Sequence, residues 1–234
     1  MWVTKNGYEI HQLLKGRSNS FLVIKGKKAL LVDTGRKSKR RILVRRLDKF
    51  NGITITALIL THSHFDHAEN AAYLKERYHL PIIIHKEEAQ FLKQGENPSI
   101  RGAFFITRLL TSLWESKIKS HFRYEPVEYD FLVEERFDLD NFGFNGYLLH
   151  TPGHSSGSMS LIVDNEVAIV GDAMFGVIKR MIYPPFAEDP DLMIKSWGKL
   201  LDAGCSIYFP AHGTQNSRKL MIDQFEKYRS RINP

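Results

Sequence analysis

The sequence predicts an α/β protein in which helices cover two sheets. Three features predict it. A strand–helix alternation runs through the N-terminal third around the β-branched segment Ile53–Leu60. That alternation breaks near Gly95, and strand-like segments return from Glu135 onward. Two late helical patterns then flank one more apolar strand, Ser206–Phe209.

In chain order, Phe21–Ile24 and Ala29–Val32 read as strands joined by the turn Lys25–Lys28. Lys39–Phe50 reads as a helix, Ile53–Leu60 as a buried strand, His67–Tyr78 as a second helix, Pro81–Ile84 as a short strand and Lys86–Lys93 as a third helix. Gln94–Pro98 is a loop. Ile100–Phe122 carries a broad apolar face formed by Phe104, Phe105, Leu109, Leu110, Leu113, Trp114 and Ile118. Strands follow at Glu135–Leu139, Phe144–Leu149, Met159–Val163 and Val167–Val170, and helices at Leu192–Ala203 and Arg218–Arg229. With no repeat and no linker, 1–234 reads as one domain with a helical insertion at about 95–122.

No apolar run approaches the ~18 residues of a membrane span, and Met1–Leu13 lacks the apolar core of a signal peptide. The single cysteine, Cys205, precludes an internal disulfide and fits a cytoplasmic location. Its place before a strand reads as a buried thiol. The formal charge is +7, much of it in Arg36–Arg46. Ile42, Leu43, Val44 and Leu47 are interleaved there, which gives an amphipathic helix with a basic outer face.

The chemistry concentrates in Thr61-His62-Ser63-His64-Phe65-Asp66-His67, directly after the apolar strand. Residues two apart in an extended segment point the same way, so His62 and His64 can converge on one ion. Asp66 and His67, at the opening of a helix, can face a neighbouring position. Imidazole and carboxylate together suit zinc, iron or manganese. His154, Asp172 and His212 share a context: each follows an apolar strand and sits in a Gly-containing loop, where α/β folds place their sites.

The order His62-x-His64-x-Asp66-His67, His154, Asp172, His212 resembles the metallo-β-lactamase superfamily, as does the upstream Asp33-Thr34-Gly35. The resemblance covers almost the whole chain. It implies a four-layer αββα sandwich with the site along one edge of the sheets. It further implies two divalent ions, zinc before iron or manganese. One would rest on His62, His64 and His154, the other on Asp66, His67 and His212, with Asp172 bridging and Asp33 supporting the ligand loop. Asp172 disfavours a true β-lactamase, in which cysteine or serine is common at that position. Length leaves no room for the inserted domain of RNA-processing relatives. His64 replaces the glutamate of flavo-diiron proteins, and little follows His212 to match the helical C-terminal domain of glyoxalase-type thioesterases. One departure stands inside the motif: relatives commonly continue His-x-Gly-Gly, whereas this chain reads His67-Ala68-Glu69-Asn70.

The expected function is hydrolysis of a carboxylic ester, lactone or thioester by water that the metals make acidic. Asp66 would orient that water or carry a proton. Tyr183, close to Lys179 and Arg180, would reach the substrate, as similar positions in relatives do. Phe104, Phe105, Leu109 and Trp114 would form an apolar lid; the competing reading packs them on the core or at a homodimer interface. The partner expected is therefore a small acyl substrate, with nucleic acid disfavoured. Two other activities of the same fold stay open: phosphodiester hydrolysis, motivated by the basic helix and separable by its salt sensitivity, and persulfide oxidation at a single iron.

Overall fold

Strand residues alternate between faces, and in this protein both faces of the central strands are apolar. The computed structural model describes residues 1–16, 18–99, 101–103 and 122–230. Among them, one sheet contains β1 (Trp2–Val3), β2 (Glu9–Leu14), β3 (Ser20–Lys25), β4 (Lys28–Val32), β5 (Thr54–Ile59), β6 (Ile82–His85) and β7 (Phe131–Val133), neighbours in chain order. The other contains β8 (Arg136–Asp138), β9 (Gly146–His150), β10 (Met159–Val163), β11 (Val167–Gly171), β12 (Ile207–Pro210) and β13 (Asn216–Ser217), again in chain order. The pairs β4–β5, β5–β6, β6–β7 and β11–β12 are parallel and the rest antiparallel.

The alternation sorts the core into three apolar layers. In β4, Leu30 and Val32 enter a cluster shared with Leu148, Leu161 and Ile169 of the opposite sheet. Ala29 and Leu31 point the other way, toward Leu43 and Leu47 of α1 (Arg40–Leu47), Leu74 of α3 (Ala71–Tyr78) and Leu92 of α4 (Lys86–Gln94). Behind the second sheet, Ile162 and Val170 meet Ile194 and Trp197 of α5 (Pro190–Asp202) and Met221 of α6 (Arg218–Arg229). Helix, sheet, sheet, helix is the αββα order that the resemblance implied. No described helix is long and apolar enough to cross a membrane.

Differences from expectation have local causes. The strand β2 lies in Glu9–Leu14, which has no clean alternation because the pairing shifts between Gln12 and Leu14. The expected helix His67–Tyr78 is two helices, a short α2 (Phe65–Ala68) and α3, separated at Glu69 and Asn70. The edge strand β7 is only three residues long and half exposed. The expected helical insertion falls largely outside the described residues, although its flanks are placed. Residues 101–103 pair with 185–187 through Ala103 N–H to Pro185 O and Ala187 N–H to Arg101 O, and Phe122 stacks on Phe65.

His85 closes β6 and starts α4, its Nδ1 accepting from Glu87 N–H at 3.2 Å. Its ring stacks on His150 at 4.0 Å. Burial, followed by His150, depresses its pKa to about 4. An unfolded chain binds that proton near pH 6.5, so this residue's contribution is complete above about pH 6.5 and is lost as pH falls toward 4. The His85→Asn variant keeps a cap acceptor and removes the titration. Urea midpoints measured from pH 7 to 4 should therefore fall less steeply for the variant than for the parent.

Candidate metal centre

Strand ends deliver the donors. The segment after β5 carries His62, His64, Asp66 and His67; the loop after β9 carries His154; Asp172 follows β11 and His212 follows β12. All seven lie together and are nearly or fully buried apart from the partly exposed His212. His64 Nδ1 lies 2.9 Å from His62 Nε2 and 3.1 Å from His154 Nε2. Asp172 stands between the two groups of imidazoles, 3.5 Å from His154 Nε2, 3.2 Å from His212 Nε2 and 3.6 Å from His67 Nε2. Asp66 reaches His212 at 3.6 Å and His67 at 3.9 Å. The donor atoms converge in three sets, His62–His64–His154, His62–His67–Asp172 and Asp66–His67–His212, each within 4.8 Å.

These residues fit divalent ions. His67 Nε2 and Asp172 Oδ1 are buried, face each other and have no hydrogen-bond partner, a costly state that a cation would relieve. Burial lowers the pKa of His67, but Asp33, then Asp172 and Asp66, override it and raise it to about 10. Burial and the neighbouring imidazoles hold His62 and His64 well below the ordinary value. Burial also opposes ionisation of Asp172, yet His212, His67 and His154 keep its carboxyl well below the usual carboxylate range.

A second layer of contacts aims the donors. Asp33, buried at a φ of 55°, accepts from His67 Nδ1–H at 2.9 Å, from Thr61 N–H at 2.8 Å and from the Thr61 hydroxyl. A proton held on His67 Nδ1 leaves Nε2 directed at the centre. His154 Nδ1–H likewise donates to Phe186 O at 3.0 Å. Gly171 precedes Asp172 with a φ of 52°, and a Cβ there would lie 2.6 Å from the Thr61 hydroxyl. Gly153 lets the His154 loop lie against α5, where a Cβ would come within 2.2 Å of Met193 N.

Sequence reasoning did not reach Glu88. Its buried carboxylate, on α4, accepts from Ser63 N–H at 3.0 Å and from the Ser63 hydroxyl, and from the Ser155 hydroxyl at 2.6 Å and Gly157 N–H at 3.2 Å. One side chain thus joins the ligand loop of the first half to that of the second. The only signals were its burial-facing helical position and the serines beside the motif histidines. The Glu69-Asn70 departure also has a structural answer. Asn70 is fully buried and donates through Nδ2 to Thr34 O and Gly35 O, both at 2.9 Å, while Oδ1 accepts from Arg40 Nε at 2.9 Å. It clips the Asp33 loop and α1 to the ligand helix.

The expected substrate residues are less uniform. Tyr183 is buried, with ring centroids 4.8 Å from Tyr228 and 5.9 Å from Trp197. It also lines an apolar groove with Phe175, Val177, Ile178, Met181 and Pro185. Lys179 and Arg180 are exposed. Phe104, Phe105, Leu109 and Trp114 lie outside the described residues. Cys205 is buried as expected, its thiol pushed up to about 12 by burial.

Stacked sheets, outer helices and an imidazole–carboxylate cluster at the strand ends define a fold of metal-dependent hydrolases. The chain belongs to the metallo-beta-lactamase superfamily, whose family model matches residues 14–212. It is 35% identical over 159 residues to a probable metallo-hydrolase of Methanocaldococcus jannaschii, covering 68% of each chain. It is 31% identical over 162 residues to the hydroxyacylglutathione hydrolase GloC of Haemophilus influenzae, covering 68% of this chain and 67% of that one. A metallo-beta-lactamase family protein from Thermus thermophilus shares the fold, with a TM-score of 0.69 and 19% identity over 96% of this chain and 80% of its own.

The Asp33 contacts generate a test. In Asp33→Asn an amide N–H would face His67 Nδ1 and favour the tautomer with its proton on Nε2. Metal affinity, measured by competition with a chromogenic chelator, should fall by about 10–100-fold, the usual effect of losing such a partner. Far-ultraviolet circular dichroism should be unchanged.

Proposed function

We propose that this chain is a dinuclear metal-dependent hydrolase of carboxylic esters, lactones or thioesters. One ion would be held by His62, His64 and His154, the other by Asp66, His67 and His212, and Asp172 would bridge them. The observation that carries this reading is the buried, unpartnered pair His67 Nε2 and Asp172 Oδ1 between two complete donor sets. Zinc suits the donors best, and iron or manganese also fit.

When bound, such a pair supplies Lewis acidity and lowers the pKa of water. The chain's own residues do the rest. Asp33 and the Phe186 carbonyl hold protons on the outward nitrogens of His67 and His154, which keeps their inward nitrogens free to coordinate. Asp66, with its side chain 13% exposed, stands at the mouth beside His212, placed to orient water and pass a proton to the leaving group. Beyond His212, Phe175 packs tilted against its ring at a centroid distance of 4.5 Å and lines the apolar groove of about 180 Å³ in which Tyr183 lies. That groove suits an acyl chain better than a phosphodiester, since its walls offer almost no charge. The similarity to a hydroxyacylglutathione hydrolase supports the thioester member of the class.

Elemental analysis of metal-replete protein should give two ions per chain, and Asp172→Ala should lose most hydrolysis of a thioester and lactone panel while keeping its circular dichroism spectrum. One ion per chain in fully loaded, active protein would refute the dinuclear reading. The groove yields a separate expectation. Each added methylene of the acyl chain should improve kcat/KM by about fourfold until the groove is full. Phe175→Ala should flatten that dependence with metal content unchanged. Activity indifferent to acyl length would count against the groove as the acyl site.

A further inference from the structure

Apart from Arg40, which donates to Asn70, the basic segment Arg36–Arg46 takes no part in the centre described above. Its side chains nevertheless do more than coat the surface. A cavity of about 600 Å³ lies between residues 14–16 and 18 on one side and the segment from Arg36 along the length of α1 on the other, and Lys15, Arg36, Lys39 and Arg46 all line it. Leu14 and Ile42 form an apolar floor, and Ser38 adds a hydroxyl. No carboxylate pairs with any of these four cations among the described residues. Like charges gathered around one concavity repel each other, so the arrangement gains from an anion between them. A second observation points the same way: Arg36 Nε is buried without a hydrogen-bond partner, while its guanidinium packs over the Phe65 ring at 4.8 Å. The stacking fixes the guanidinium plane and leaves donors to spare.

The cavity also touches the catalytic loop. Ser18, one of its lining residues, donates its hydroxyl to the carbonyl of Asp66. Arg46 is itself tethered to the Leu13 carbonyl, so part of the wall is held in place before any ligand arrives.

We propose that this cavity is a binding site for a small organic anion bearing two or more phosphate or carboxylate groups on an apolar body. The cations take the charged groups, and Leu14 and Ile42 take the body. The site is separate from the metal donors and does not depend on the hydrolase assignment.

Isothermal titration of the metal-loaded protein with ADP, inorganic pyrophosphate and citrate, at low ionic strength, tests it. At least one should bind at one site per chain, and ADP more tightly than pyrophosphate because only ADP can use the apolar floor. Lys15→Glu and Lys39→Glu change exposed residues, so folding is spared. Each should weaken binding by about tenfold or more, the scale of a lost charge-assisted contact, with metal content and melting temperature unchanged. Loss of binding in His62→Ala but not in the lysine variants would place the anion on the metals and overturn the proposal. So would the absence of binding to all three probes. A short single-stranded oligonucleotide that binds far more tightly than ADP, with a steep salt dependence, would replace the small-anion site with a nucleic-acid surface.

Discussion

The carboxylate of Asp33 is the constraint on which the rest of the centre depends. It lies just past the end of β4, in a left-handed conformation that aspartate tolerates better than most residues. From there it holds the backbone and hydroxyl of Thr61, two residues past the end of β5, and the outer nitrogen of His67. Two adjacent parallel strands and the ligand helix are thereby locked at one point. The bend between β5 and α2 begins at that lock, so the directions of His62 and His64 follow from it. Gly171 makes the same junction possible from the opposite sheet, because any side chain there would strike Thr61.

Around this lock the protein buries an unusual amount of ionisable surface. The histidines of the centre and the carboxylates of Asp33, Asp66 and Asp172 crowd together; burial, with repulsion among the imidazoles, depresses His62 and His64, while the carboxylates outweigh burial and raise His67 and His212. Such a cluster is destabilising unless cations enter it. Residues outside the donor set bear much of the geometric work: Glu88 ties Ser63 to Ser155 and Gly157, Tyr124 donates to Ser63 O at 2.8 Å, and Asn97 accepts from Phe65 N–H at 2.7 Å.

The layered fold and the seven side chains that cluster at the strand ends were legible in the sequence for different reasons. Strands such as Met159–Val163 and helices such as Arg218–Arg229 announce themselves by period, and a burst of four ligands in six residues has few other uses. What was illegible depended on partners distant in sequence. Glu88 reads as an ordinary helix carboxylate until the fold sets Ser155 against it, 67 residues away. Asn70 reads as a lost glycine until its amide meets the Thr34 and Gly35 carbonyls. β2 hides because a register shift breaks its alternation, and the basic helix reads as merely solvated because the residues facing it, Leu14, Lys15, Gly16 and Ser18, carry no motif.

The division of donors between two sheets has a consequence for how the protein is made. His62, His64, Asp66 and His67 form one local group, but His154 lies 90 residues beyond His64, and His212 comes later still. Closing loops of that length costs chain entropy that only the docked sheets offset. A nascent chain therefore displays a half-finished chelator through most of its synthesis. Stray cations can be sampled by the first group, yet they cannot be retained with full coordination until residue 212 has emerged and β12 has paired with β11. A cation held by all of these loops at once would thus report that the two sheets have already docked.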